Sequence, residues 1–373
     1  MPAVAGGLAV RADATEAIAP RRAGVPLPRV DDSLPVTTAA RAGTTTPWPI
    51  LRANARSVLA GLAACLVVLV TIELAVFRSG FFIDHVTFSS PIPAAKIALA
   101  ARYPDTRTLF VGDSTVLTGV MPAVVSEECR CGGAFNAAFA YSGPWLTAAM
   151  TRRVIQKMDR LELVVISVGP WDLGAAAKFE GGPYALELLS PDEAAGLGLS
   201  VDLKTAIDAR VGSVWSAYGQ RSLVLEWLAS LVPGNRYDES ERGYHFVPGS
   251  LLNRAQLEKA AAGLDPGPSD PPSSTGPGAA VIASLITELR ARGISAAILL
   301  PPLHPVAQEL AGPYLERWEA SVRDLASAQG ASIVDCRTAA APADFRDLIH
   351  LNRSGAAKHS ACIGAITTAL VHH

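Results

Sequence analysis

The chain has 373 residues, half of them hydrophobic, and its 32 basic and 34 acidic side chains give a formal net charge of -2. That balance supplies no positive field for capturing nucleic acid, so a DNA- or RNA-binding function is disfavoured. The mean hydropathy of +0.28 is unusual for a soluble enzyme and directs attention to segments that lipid would accept.

Residues 1–50 are rich in Ala, Pro, Thr and Arg and show no sustained apolar period. Such a segment buries too little apolar surface to offset the entropy of ordering its backbone. We therefore expect a disordered arm.

The segment 57–77 reads SVLAGLAACLVVLVTIELAVF and contains one ionisable side chain, Glu73. A helix of about twenty residues is long enough to cross the hydrocarbon layer, so a single transmembrane helix is predicted. A buried core helix would normally show a polar stripe. A cleaved signal peptide is the other alternative, but more than fifty residues precede the segment and no small-x-small cleavage site follows it.

Basic residues flank this segment unevenly. Arg41, Arg52 and Arg56 precede it, Arg78 and Lys96 follow it, and the arm holds four further arginines. Because basic residues tend to stay on the cytoplasmic side, the arm is expected in the cytoplasm and the C-terminal part outside. The expected location is the cell inner (plasma) membrane, single-pass, with 78–104 connecting the helix to a periplasmic domain.

Five cysteines are too few for a disulfide scaffold, and Cys65 lies within the apolar segment. An exported domain can pair some of the other four, but the sequence does not choose which. No C-x-x-C pair or His cluster has metal-ligand spacing. We therefore expect no metal site and no cofactor.

From residue 105 to the C-terminus, short apolar runs alternate with longer helical stretches, which is typical of a parallel sheet with crossover helices. Strands are predicted at 108–112, 134–139, 163–168, 295–300 and 332–335. Helices are predicted at 116–128, 144–160, 280–292, 306–329 and from 354 onward. The expected fold is a flavodoxin-like three-layer α/β sandwich with about five parallel strands.

Roughly a hundred residues interrupt the alternation after the third strand, which is far more than a βα connection needs. We interpret 173–279 as a helical inserted subdomain ending in a Pro/Gly/Ser linker, DPGPSDPPSSTGPG. Its aromatic residues either line a substrate cleft or form the small core of the insert. They are Trp215, Tyr218, Trp227, Tyr237 and Tyr244, followed by His245.

The tripeptide Gly112-Asp113-Ser114 lies where the first predicted strand gives way to a helix. In open parallel sheets the ligand crevice lies at the carboxyl ends of the strands. A serine there has free backbone N–H groups beside it, and these can stabilise an oxyanion. The alternative is that Asp113 or Ser114 only caps the helix.

Asp347 and His350 lie after the last predicted strand and just before the last helix. A neutral serine is a poor nucleophile, so it needs an imidazole to take its proton and a partner that orients the imidazole. Of the seven histidines, only His350 combines a strand-exit position with a nearby carboxylate; His304 also leaves a strand but lacks one. The alternative for any single histidine is a structural role.

Through GDS at 112–114 and DLIHLNRSG at 347–355, the chain from about residue 105 onward resembles the SGNH (GDSL-like) hydrolase family. The resemblance implies Ser114 as nucleophile, His350 as base and Asp347 as its orienting partner. It also implies an oxyanion hole formed by three donors: the N–H of Ser114, the N–H of a glycine after the second strand, and an asparagine side chain after the third.

The oxyanion blocks depart from the family pattern. The glycine is assigned to Gly143, or its place is taken by Tyr141 or Ser142, because the separation from Asn136 is longer than usual. Where the family has Gly-x-Asn-Asp, this chain reads Gly-Pro-Trp-Asp, with Trp171 in place of the asparagine. Asn136, a residue of the insert, or the indole N–H of Trp171 is a candidate for the missing donor.

By analogy with anchored relatives that carry a large insert, the resemblance implies an extracytoplasmic serine esterase or O-acyltransferase. It would act on acyl, above all acetyl, esters of a cell-surface carbohydrate. Its expected partners are an acylated carbohydrate, the membrane and polysaccharide-assembly proteins. The alternative is a catalytically impaired domain that binds glycan or serves as a scaffold in a polysaccharide-assembly machinery.

Overall fold

The computed structural model describes residues 48–82, 90–174, 188–189, 193, 203–233, 237–246, 251–264 and 271–371. The predicted arm lies outside these residues except for 48–50, which are helical. Contacts divide the chain into two units, Met1–Ala60 and Gly61–His373. The sheet and all the candidate site residues belong to the second unit.

The first described element is helix α1 (Trp48–Ile72), which a π-helical turn (Glu73–Arg78) continues. Within them, Ala55–Arg78 is long and apolar enough to cross a membrane, and none of its most apolar window is buried in the protein. The predicted segment 57–77 falls inside these bounds. The chain therefore contains a helix with the length and composition that a span requires.

The remaining α-helices of the described residues are, in chain order, α2 (Pro93–Ala100), α3 (Ser114–Gly119), α4 (Pro122–Cys129), α5 (Pro144–Ile155), α6 (Leu203–Val214), α7 (Ser216–Gly219), α8 (Arg221–Ser230), α9 (Arg254–Ala261), α10 (Pro277–Ala291), α11 (Pro305–Gln329) and α12 (Arg353–Val371). The strands are β1 (Thr106–Val111), β2 (Gly133–Asn136), β3 (Leu163–Ser167), β4 (Ser295–Leu300) and β5 (Ser332–Asp335).

These five strands form one sheet in the order β2-β1-β3-β4-β5, and all neighbouring strands run parallel. That is the 2-1-3-4-5 order of flavodoxin-like doubly wound folds. The predicted α/β fold with five parallel strands is confirmed, and so is the helical insertion between β3 and β4.

Both faces of the sheet are buried under helices. Successive side chains of a strand point to opposite faces, and accordingly Leu109 and Val111 belong to one apolar cluster and Phe110 to another. The first cluster is completed by α5, α10 and α11, and the second by α3, α4 and α12. The sheet is thus the middle layer of three.

Two predicted helices have wrong boundaries: the one predicted at 144–160 ends at Ile155, five residues early, and the one predicted at 116–128 is interrupted. The stretch 116–128 forms two helices, because the chain leaves helical geometry at Val120 and Met121 and starts again at Pro122. The proline ring disfavours helical backbone angles for the residue before it, and proline fits the first position of a new helix. The interruption separates α3, which begins at Ser114, from the longer α4.

The aromatic residues of the insert belong to separate clusters. Tyr237 packs with the first sheet face, and Tyr244 packs around Phe345. Trp227 contacts the Phe82 ring at 5.9 Å, whereas Trp215 is 47% exposed. Among the described residues, they do not line one common cleft.

A short segment of the insert, 237–246, covers the edge of β2. The N–H of Asn136 donates to the Arg242 carbonyl at 3.0 Å. The fully buried Lys96 of α2 donates from Nζ to the carbonyls of Asn136 (2.9 Å) and Gly243 (2.7 Å). Burial lowers the pKa of Lys96 well below its usual range. These bonds satisfy backbone groups that an edge strand would otherwise expose.

Disulfides join Cys129 to Cys131 and Cys336 to Cys362. The second bond ties the end of β5 to the middle of α12. Cys65 is the free cysteine among the described residues.

Candidate active site

Ser114 lies at the carboxyl edge of the sheet, directly after β1. Gly112 makes the turn with a φ of +150°, and Asp113 caps α3 by accepting from the Thr115 N–H at 2.9 Å and from its hydroxyl at 2.6 Å. Ser114 is therefore the first residue of the helix. Its N–H is one of the groups that have no acceptor within the helix.

The turn at Gly112 has no room for a side chain. A Cβ added there would lie 2.8 Å from the Ser167 Cβ, whereas one added at Gly143 would meet nothing within 4 Å. We expect Gly112→Ala to lower the free energy of unfolding by about 1–3 kcal/mol. Gly143→Ala, the matched control, should change it by less than about 0.5 kcal/mol. Denaturant titration measures the free energy of unfolding of both variants. Equal decreases would contradict the close approach of residue 112 to the Ser167 Cβ.

The loop before α12 holds Asp347 and His350. Phe345 pairs with Leu351 in an antiparallel bridge that closes the loop. Oδ1 of Asp347 accepts from the backbone N–H groups of Ile349 (3.0 Å) and His350 (2.8 Å). The carboxylate also meets the Nδ1 of His350 at 2.8 Å.

The charge state of Asp347 follows from these contacts. Burial alone raises the pKa of the carboxyl, but the hydrogen bond and charge of His350 and the two N–H groups outweigh it and lower the pKa to about 2. Asp347 is therefore ionised at neutral pH. An ionised carboxylate holds the proton of His350 on Nδ1 and leaves Nε2 free to accept.

His350 and Ser114 meet although 236 residues separate them in the chain. The Nε2 of His350 lies 2.8 Å from the Oγ of Ser114. The result is a continuous series from hydroxyl to imidazole to carboxylate, with each step within hydrogen-bond distance. Such a series can remove the hydroxyl proton during nucleophilic attack.

Two other histidines have structural positions. The Nδ1 of His304 accepts from the Val306 N–H and caps α11, and its ring packs on Phe345. The Nδ1 of His359, which is fully buried on α12, lies 3.0 Å from the Gly119 carbonyl at the end of α3. His359 therefore ties α12 to the helix that begins with Ser114.

His359 predicts a loss of stability on acidification. Burial lowers its pKa to about 4, although the hydrogen bond to Gly119 opposes the shift. The unfolded chain therefore binds a proton more readily between about pH 6.5 and pH 4, so the free energy of unfolding falls as pH falls through that window. The variant His359→Asn keeps a donor for the Gly119 carbonyl but has no imidazole to protonate. Its free energy of unfolding should therefore fall less over the same pH window. Denaturant titrations at pH 7, 6 and 5 compare the two, and equal slopes would contradict this origin.

The candidate oxyanion donors are differently engaged. The side-chain amide of Asn136 donates to the carbonyls of Val116 (2.8 Å) and Val120 (2.9 Å), and its oxygen accepts from the Ala138 N–H. Both of its amide protons thus serve the α3–α4 connection. Gly143 is the N-cap of α5, where N–H groups lack acceptors within the helix.

Tyr141 and Ser142 were the alternatives to Gly143. Tyr141 has a φ of +62°, and its side chain is exposed. The Ser142 hydroxyl pairs with that of Thr147 at 2.7 Å. Gly143 is the one of the three that caps the start of a helix.

Trp171 contacts the serine turn in a way that the sequence did not predict. Its indole Nε1 donates to the Oδ2 of Asp113 at 3.0 Å. Beside them, Asp172 accepts from the Gly169 N–H at 2.7 Å. Burial, followed by the charge of Asp113, raises the pKa of Asp172 well above its usual range. The indole therefore braces the buried Asp113 and is not directed at an oxyanion.

No metal centre is evident in the part of the chain that the structure describes. No group of three or more His, Cys, Asp or Glu side chains there could hold a metal ion.

A serine after the first strand and an Asp-x-x-His loop before the last helix, on a 2-1-3-4-5 sheet, match the arrangement that the sequence resemblance implies. The fold and the site geometry are similar to those expected of SGNH hydrolases. No family model and no curated protein matches the chain.

Several solved structures are similar in fold. A putative lipolytic protein of the G-D-S-L family from Desulfitobacterium hafniense is 11% identical, with a TM-score of 0.35 over 70% of this chain and 99% of that one. A carbohydrate acetylesterase family member from Sinorhizobium meliloti is 10% identical, with a TM-score of 0.35 over 72% and 100%. An inhibitor-bound aryl esterase from M. smegmatis is 12% identical, with a TM-score of 0.34 over 72% and 98%. At these values, the likenesses identify no activity for this chain.

Proposed function

We propose that this chain is an extracytoplasmic serine esterase or O-acyltransferase that acts on acyl, chiefly acetyl, esters of a cell-surface carbohydrate. The observation that carries the proposal is the series of contacts from Ser114 to His350 to Asp347 at the carboxyl edge of the sheet.

In the first half of the reaction, the Oγ of Ser114 attacks the ester carbonyl while Nε2 of His350 takes its proton. The ester C–O bond then breaks, and His350 gives that proton to the leaving alcohol. The acyl group remains on Ser114. In the second half, His350 removes a proton from water or from a sugar hydroxyl, whose oxygen attacks the acyl group. The bond between the acyl group and Ser114 Oγ then breaks, and His350 returns that proton to the Oγ.

The negative charge on the carbonyl oxygen needs donors. The proposed donors are the N–H groups of Ser114 and Gly143, each at the start of a helix, where the helix dipole also favours negative charge. The side chains of Asn136 and Trp171 are engaged elsewhere. A hole with two donors instead of three is expected to slow the reaction without abolishing it.

The proposed location is the periplasmic side of the inner membrane, with Ala55–Arg78 as the anchor. Disulfides persist in oxidising compartments and are rare in the cytosol, and two of them lie in the domain that carries the site. The basic residues before the span favour the same orientation. The carbohydrate substrate and the polysaccharide-assembly partners rest on the sequence resemblance.

The test is chemical labelling of the full chain in detergent. A fluorophosphonate probe should attach to the peptide that contains Ser114, and the protein should hydrolyse 4-nitrophenyl acetate. Adding an oligosaccharide acceptor should divert acetyl groups from water to sugar if the chain is a transferase. A folded protein that neither labels nor hydrolyses would refute the proposal.

The second candidate function is a catalytically impaired component that binds glycan or supports a polysaccharide-assembly machinery. The presence of Trp171 in place of the family's oxyanion asparagine favours it. In that case, Ser114→Ala should leave the cellular phenotype intact, whereas deletion of the insert should abolish it. Loss of the phenotype in Ser114→Ala would exclude this candidate.

Trp171 allows the oxyanion argument to be tested by a gain of rate. Trp171→Asn restores the family's donor and should raise kcat by up to about 100-fold. Trp171→Phe adds no donor and should give no gain. Both variants remove the bond to the buried Asp113, so each should lower the free energy of unfolding by about 1–3 kcal/mol. Equal kcat values for the two variants at matched stability would contradict the proposal that the oxyanion hole lacks a donor at position 171.

A further inference from the structure

Two helices of the insert, α6 and α8, expose apolar side chains along one stripe each. The stripe residues are Ile207, Val211 and Val214 on α6, and Leu225, Leu228 and Val232 on α8 and the turn after it. Their spacings, i, i+4, i+7 and i, i+3, i+7, place each set on a single helix face. We call these two sets the exposed stripes. Val214 is 72% and Leu225 66% exposed.

The C-terminal end of the stripe on α6 lies next to the last turn of the candidate membrane span. The Glu73 carboxylate accepts from the backbone N–H groups of Ser216 (2.6 Å) and Ala217 (2.9 Å). Arg78 donates to the Val214 carbonyl at 2.6 Å. The turn between α6 and α7 is thus hydrogen-bonded to the last turn of Ala55–Arg78.

The opposite side of α8 packs against the chain just beyond the span. Leu223 is buried in a cluster with Phe82, and the Trp227 ring meets that of Phe82 edge-on at 5.9 Å. This contact orients α8, because one face covers Phe82 while Leu225, Leu228 and Val232 point elsewhere. Both exposed stripes therefore belong to helices that are fixed to the end of the span.

We infer that the exposed stripes lie in the interfacial layer of the bilayer that Ala55–Arg78 crosses, so that the insert is a second membrane contact. This inference rests on the proposed anchoring. A residue bonded to the last turn of a span lies at the depth of the lipid headgroups, and amphipathic helices at that depth bury their apolar face about 5–10 Å into the boundary. Trp215, which is adjacent to Val214 and 47% exposed, is a residue type enriched there.

The polar groups next to the stripes suit the same position. Arg221 pairs with Asp208 at 2.8 Å and stacks over the Tyr218 ring at 4.2 Å. Long basic side chains and tyrosine occupy the boundary between headgroups and acyl chains, where one end is apolar and the other is wet. The occupant of the exposed stripes is accordingly lipid.

The experiment measures depth in lipid nanodiscs that each hold one full-length copy. In a Cys65→Ser background, Val214→Cys, Leu228→Cys and Lys259→Cys are labelled with the environment-sensitive fluorophore NBD under non-reducing conditions. Lys259 is exposed on α9 and serves as the control. A fourth sample carries the label on the native Cys65. Nitroxide lipids quench the label from either a shallow or a deep acyl position.

Labels at 214 and 228 should be quenched strongly by shallow nitroxides and should emit at shorter wavelength, whereas the label at 259 should remain unquenched. The label at Cys65 should be quenched by deep nitroxides. If Cys65 is quenched while 214 and 228 behave like 259, the interfacial contact is refuted and the anchor stands. If Cys65 is not quenched either, the proposed anchoring itself fails.

A second measurement avoids substitutions. Wild-type protein in nanodiscs that contain a lipid with a diazirine in its upper acyl chain is irradiated and digested. Adducts should concentrate on peptides from 203–232. The absence of adducts there, together with self-association of the protein in detergent, would overturn the inference and assign the exposed stripes to a second copy.

Discussion

Replacing Ser114 with alanine is expected to lower kcat for an aryl acetate by about 10⁴- to 10⁶-fold and to abolish fluorophosphonate labelling. The reason is the 2.8 Å contact between Ser114 Oγ and His350 Nε2, which makes the hydroxyl the one activated nucleophile of the proposed mechanism. The kcat that remains in this variant comes from the oxyanion donors and from substrate binding. Steady-state hydrolysis and labelling of the full chain measure both effects.

His350→Ala should be as inactive as Ser114→Ala, and the double variant should be no worse than either. Groups that act as one unit show this lack of additivity. Ser284→Ala, which removes an exposed hydroxyl from α10, is the matched control and should retain full activity. If Ser114→Ala loses activity and the His350 variant keeps it, the imidazole is not the base.

The strands were predicted well because each is a short apolar run between polar or Gly/Pro boundaries. β4 and β5 have the predicted bounds, and β1 begins two residues before its predicted start. β2, predicted at 134–139, ends at Asn136, three residues before its predicted end. The helix predicted at 116–128 is wrong because Pro122 is not inside a continuous helix but begins α4. The Met121-Pro122 pair was the signal in the sequence that could have shown the break.

The pairing of Ser114 with His350 was also proposed from the sequence, because both follow strands of one parallel sheet and such strands end at the same edge. The bond from Trp171 to Asp113 was not. It depends on β3 lying next to β1, so that the loops after these two strands meet. The order of strands within a sheet is a property of long-range packing that local patterns do not carry.

The same limit applies to Asn136. It lies within the second predicted strand and was a candidate oxyanion donor, and as the last residue of β2 it does lie at the correct edge of the sheet. Its amide instead donates to the carbonyls of Val116 and Val120. The Val116 carbonyl also accepts from the Val120 N–H at the end of α3, so the Asn136 amide holds the break between α3 and α4. That break was missing from the predicted single helix.

Asp347→Asn is expected to lower kcat by about 10⁴-fold while leaving the fold intact. The asparagine side chain would keep an oxygen for the backbone N–H groups of Ile349 and His350, so the loop should retain its shape. Its amide, however, would donate to Nδ1 of His350 and place the imidazole proton on Nε2. That nitrogen then cannot accept the proton of Ser114.

The comparison that isolates this effect is Asp324→Asn, which removes an exposed carboxylate from α11 and should leave kcat unchanged. The tautomer itself is visible in the ¹⁵N chemical shifts of His350, which should report a move of the proton from Nδ1 to Nε2 only in the Asp347 variant. Full activity in Asp347→Asn would mean that the carboxylate serves the loop alone, through the two N–H groups from which it accepts. A loss of activity without the change of tautomer would place its role in the charge that stabilises the imidazolium during attack.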